Sequence, residues 1–111
     1  MGFIHRIFGK NAKARTLLWK LPIRDKESTV KEVQAWDSGW AVDPVRVVKT
    51  DEAARILGDG LLNRMLHGHW VSCEPDRIVR GYANPFGSQE STTTILRVGK
   101  DEFILHRCAK E

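Results

Sequence analysis

The sequence predicts an α+β fold: an antiparallel sheet of C-terminal strands packed on a central helical element over about residues 51–67, with N-terminal segments at an edge or face. Three observations predict it. From His69 to Cys108 the apolar residues fall into short β-type runs separated by turn residues. Thr50-Asp51-Glu52 is the clearest helix start in the chain, a hydroxyl followed by two carboxylates where the helix dipole favours negative charge. Behind it Ala54, Leu57, Leu61 and Met65 recur on one helical face.

The elements follow in order. Phe3, Ile4, Ile7 and Phe8 form one apolar stripe on a helix, beside basic residues, and Gly9 and Asn11 would end it. Arg15 to Ile23 reads as a strand with Leu17, Trp19 and Leu21 on one face, and Pro22 places that strand at an edge or a terminus. Residues 24–43 carry two readings. Thr29-Val30-Lys31-Glu32 fits a capping box, with Val30, Val33 and Trp36 following at helical spacing and Gly39 as the terminator. The rival is a hairpin of Glu32–Trp36 and Trp40–Val42 around Asp37-Ser38-Gly39. The helix is preferred.

Val45-Arg46-Val47-Val48 reads as a short strand. In the central helix, Ile56, Leu62 and Leu66 widen the apolar stripe. Gly58-Asp59-Gly60 interrupts it, leaving one weakened helix or two short ones with Asp59 recapping the second. Trp70–Cys73 and Arg77–Tyr82 flank a tight turn at Glu74-Pro75-Asp76. Residues 83–91 read as a loop. Thr92–Val98 and Asp101–Cys108 form a hairpin around Gly99-Lys100. Its expected register sets Arg97 opposite Glu102, Leu96 opposite Phe103 and Ile95 opposite Ile104.

The chain has 111 residues, 41% of them apolar, which suits one globular domain with a core. Two cysteines are too few for a disulfide framework, and both are expected to be reduced small hydrophobes in a cytoplasmic protein. Gly2-Phe3-Ile4 is broken by His5-Arg6 before it becomes a signal-peptide core, and no run approaches the ~20 apolar residues of a membrane span. The start Met1-Gly2 departs from a myristoylation motif at Arg6.

Charge gives the sharpest functional signal. Arg6, Lys10, Lys13, Arg15, Lys20 and Arg24 fall within the first 24 residues, which hold no acid. The remaining residues hold the other 12 of the 18 Lys and Arg against all 14 Asp and Glu. A basic arm on a near-neutral body points to an anionic partner: an acidic protein or nucleoprotein face, nucleic acid or, less well, a membrane. Four tryptophans add binding potential, since this residue dominates hot spots. Trp36 and Trp40 flank the possible turn and are the candidate anchors, beside Arg6, Lys10, Lys13 and Arg15.

Chemistry-bearing motifs are weaker. His67-Gly68-His69 and His106-Arg107-Cys108 place ligand types two residues apart, which on strands means a shared face. Yet His67 falls at the end of the helix, where the dipole alone accounts for it. His69 and Cys73, four residues apart on one strand, are separated by roughly 13 Å. Gly58-Asp59-Gly60 begins like a dinucleotide loop but sits inside a helical pattern. No cofactor and no metal are expected. The sequence therefore favours a non-catalytic binding protein that docks stoichiometrically on a macromolecule, in the manner of an inhibitor, immunity protein or modulator. Direct nucleic-acid binding is the alternative. A small enzyme or metal protein using His69, Cys73, His106 and Cys108 is the third reading.

Overall fold

Strands with alternating apolar residues need partners to satisfy their amides and a layer to cover their apolar side. In the computed structural model, which describes residues 11–36, 44–63, 67–83 and 90–110, both needs are met by a five-stranded antiparallel sheet with helices on its two faces. The described elements are α1 (Ala12–Trp19), α2 (Lys26–Gln34), β1 (Arg46–Val48), α3 (Thr50–Leu57), α4 (Asp59–Asn63), β2 (His69–Cys73), β3 (Ile78–Ala83), β4 (Glu90–Gly99) and β5 (Glu102–Lys110). The strand order is β1-β5-β4-β3-β2. β2 to β5 form a meander. β1 joins the far edge beside β5, so α3 and α4 connect one edge strand to the other.

Side chains alternate across each strand, so the register divides the apolar residues between two layers. Ile78, Ile95, Phe103 and Leu105 meet Ala14 and Leu18 of α1 and Ala53, Ala54 and Leu57 of α3. Leu96, Val98 and Ile104 meet Val33 of α2. Burying a side chain of this size contributes roughly 1.5–3 kcal/mol, so the sheet's two-sided cover is its main support.

Several local expectations change. Arg15 to Ile23 is not a strand: Ala12–Trp19 is helical, and Ala14, Leu18 and Leu21 are buried while Trp19 is exposed. The apolar positions 14, 17, 18 and 21 have helical spacing, which the alternation of Leu17, Trp19 and Leu21 disguised. The preferred helix in 24–43 is present, but its cap lies four residues before the expected one. Asp25 accepts from the Ser28 amide at 2.9 Å, and Thr29 is a buried residue inside the helix. Gly39, Trp40 and the rest of 37–43 lie outside the described residues.

The expected element at 51–67 is two helices. Gly58, at φ 72°, ends α3 in a conformation that glycine reaches at little cost, and its amide donates to Ala54 O at 2.8 Å. Asp59 does not recap its own helix; its carboxylate serves α1, as described below. Residues 64–66 are outside the described set. So are 84–89, while Ala83, Glu90 and Ser91 of the expected loop are paired strand residues.

The β4–β5 hairpin is slipped by one residue from the expected register. Arg97 faces Phe103, Leu96 faces Ile104 and Ile95 faces Leu105, with an irregularity between Arg97 and Gly99 and the turn at Lys100-Asp101. Phe103-Ile104-Leu105 is apolar on both faces, so local pairing alone does not choose between the two registers. Tertiary contacts do. Asp101 is used to cap α3, Glu102 pairs with Lys26 at 3.1 Å, and Arg97 donates to the carbonyls of Gly99, Lys100 and Trp19.

Candidate functional site

The basic arm enters the fold through α1. Lys13 Nζ donates to Asn63 Oδ1 of α4, and Arg15 pairs with Asp51 of α3. Arg24 bridges two elements, at 2.6 Å to Glu32 of α2 and 3.1 Å to Asp76 of the β2–β3 turn. Arg77 lies beside Asp76 at 3.0 Å, and that guanidinium together with Arg24 holds the Asp76 carboxyl below the usual carboxylate range. Among the described arm bases, three are thus drawn into the domain, and Lys20 is exposed. Arg6 and Lys10, the other candidate partner residues of the arm, lie outside the described residues, as does Trp40.

Trp36 is half-buried just beyond α2. Its ring meets His106 edge-on at 5.5 Å and lies 5.1 Å from the Arg77 guanidinium, so part of it is committed to the fold. The aromatic residue that sequence reasoning placed on a strand face, and that the structure exposes, is Trp19. Its relative exposure is 52%, and that of Ile23 is 55%, while Leu21 between them is buried. The backbone here is tied down. Arg97 donates to Trp19 O at 2.9 Å, and the Arg24 amide donates to Arg97 O at 2.9 Å. The helical spacing of Ala14, Leu17, Leu18 and Leu21 already carries the signal, because it leaves Trp19 off the buried stripe.

The described histidines and cysteines do not form one constellation. His69 and Cys73 share a face of β2, and through the register Cys73 lies in line with Ile78 and Ile95. His106 and Cys108 belong to the opposite face, that of Ile104. Among the described residues the only close approach within the set is local: Cys108 Sγ lies 3.6 Å from His106 Nδ1. Burial under the α2 layer pushes the His106 imidazole below its usual pKa, favouring the neutral ring. Cys73 is exposed, not a core residue, and lines an apolar groove of about 590 Å³ with Leu17 and Leu61. Both thiols are unbonded. Among the described residues no three His, Cys, Asp or Glu side chains are grouped as a metal site would need, and no helix is long and apolar enough to cross a membrane.

The class defined by these observations is structural: a small α+β domain with a five-stranded antiparallel sheet covered by helices on both faces. No protein-family model, curated protein or solved structure gives a significant match to the chain.

Proposed function

We propose that this chain is a non-catalytic binding protein that docks stoichiometrically on an anionic protein face in the cytoplasm, with Trp19 and Ile23 as its apolar anchors. The observation that carries this reading is the exposure of those two side chains on a backbone held by Arg97, beside the exposed Lys20. A tethered anchor loses little freedom on binding, and tryptophan in a desolvated contact is the commonest hot spot. Arg6 and Lys10 extend the same basic segment and would steer the encounter. Trp36 and Trp40 fall to a secondary role in this reading. Direct nucleic-acid binding remains the second reading, because an exposed tryptophan among bases also suits stacking on a single strand.

Affinity capture from the native cell extract tests the proposal, with the wild type compared against a Trp19→Ser, Ile23→Ser double variant and with nuclease treatment in parallel. The expected result is one stoichiometric protein that survives nuclease and is lost with the double variant. Loss on nuclease treatment would replace this reading with the nucleic-acid one. Equal capture by the folded variant would overturn the role of Trp19 and Ile23.

A further inference from the structure

On the face of the sheet that carries α3, one cross-strand row reads Arg80, Thr93, Arg107, because Arg80 pairs with Thr93 and Thr93 with Arg107. Arg46 on β1 pairs with Leu105, two residues from Arg107 and on the same face. These side chains line a groove of about 200 Å³, with Leu105 and Ile56 as its apolar wall. Three arginines and a threonine therefore line one concave site, and among the described residues no Asp or Glu lines it. Arg80 Nε adds an independent observation. It is shielded from solvent and has no hydrogen-bond partner among the described residues. A buried donor without an acceptor is costly, and a ligand oxygen would remove that cost.

We infer that this groove is an anion site that takes a phosphate group. Arginine suits the task through its planar fork of donors, which matches phosphate oxygens, and Arg80 and Arg107 stand about 10 Å apart across the row, far enough to grip one group from two sides. Thr93, between them, offers a hydroxyl donor at the floor. Arg46 already reaches Glu52 at 3.6 Å, so Glu52 competes with the ligand for it. The site is separate from Trp19 and Ile23 and does not depend on the docking role given to them.

The test is calorimetric titration of the full chain with inorganic phosphate at constant ionic strength, with adenosine monophosphate and a short single-stranded oligonucleotide as further arms. One phosphate should bind per chain. Arg80→Gln should weaken binding about tenfold or more, the loss expected for a charged hydrogen bond. Arg46→Gln serves the same purpose at an exposed position if the Arg80 variant does not fold. Glu52→Gln should tighten binding, an effect of opposite sign that general loss of structure does not produce. Lys20→Gln, which removes charge elsewhere, should leave it unchanged, as should Trp19→Ser. Binding of the nucleotide alone would identify a phosphomonoester as the source, and binding of the oligonucleotide alone a phosphodiester backbone. Absence of binding in all three arms, or equal affinity in wild type, Arg80→Gln and Arg46→Gln, overturns the inference and leaves the docking reading untouched.

Discussion

Gly81 shows how one absent side chain shapes the surface around it. It faces Trp70 across the β2–β3 pair, and the indole lies directly over its backbone. A Cβ at Gly81 would sit 2.2 Å from Trp70 Cζ2 and 2.3 Å from Cε2, inside any permitted contact. The glycine thus makes room for the ring, and the ring covers a strand position that has no side chain of its own. Gly81→Ala should displace the indole and lower stability by about 1–3 kcal/mol, the usual cost of overpacking. Urea denaturation measures it, and an unchanged midpoint would show that Trp70 swings aside without cost. Sequence reading did not distinguish the tryptophans at this level. Trp70 lies over a glycine and Trp36 is held between His106 and Arg77, roles that depend on neighbours distant in sequence, whereas Trp19 faces outward.

At the level of elements, two helices are capped by carboxylates that belong to other parts of the chain. α1 begins at Asn11, whose side chain makes no capping bond; Asp59 of α4 accepts instead from the Ala14 amide at 2.8 Å and the Lys13 amide at 3.4 Å. α3 begins beside the β4–β5 turn, where Asp101 accepts from the Thr50 amide at 2.9 Å. The Thr50 side chain and amide beside it hold the Asp101 carboxyl below its ordinary range. A carboxylate with a depressed pKa stabilises the fold above its unfolded value, and the contribution is lost as pH falls through the folded one. Asp59→Ala should cost about 1 kcal/mol, as loss of a cap does, and should speed amide exchange in the first turn of α1. α2, capped by its own Asp25, should exchange unchanged. Equal acceleration in α1 and α2 would show global loosening and reject the local role. The same borrowing, through Asp101, goes with the slipped hairpin, whereas the earlier start of α2 has a local cause, its own Asp25. Thr29 and Thr50 resembled caps, but Asp25 and Asp101 perform the capping.

Across the whole molecule, the two-sided sheet places one titratable group in a dry layer. His106 is 7% exposed beneath Trp36, and burial lowers its pKa from the ordinary value near 6.5. The unfolded chain then binds the proton more readily than the fold. Stability from this group is complete above about pH 6.5 and declines as pH falls toward the lower folded value. Urea midpoints at pH 7.5 and pH 5.5 should differ for the wild type, and His106→Leu should lack most of that difference. The same drop in both proteins would assign the effect to other groups.

The amino-acid sequence alone determined the fold class, the C-terminal strands and the segregation of basic charge. These follow from periods and residue types that act within a few positions of one another. Only the tertiary structure decided that Arg15 to Trp19 is helical, that the chain breaks into two helices at Gly58, which hairpin register holds and that Arg46, Arg80 and Arg107 share a groove. Each of these depends on contacts between distant segments: Asp59 at the start of α1, Asp101 at the start of α3, and four strands, β1, β5, β4 and β3, laid side by side. A local pattern that satisfies two registers or two periods equally well is resolved by whichever one buries more apolar surface and leaves fewer polar groups unpaired.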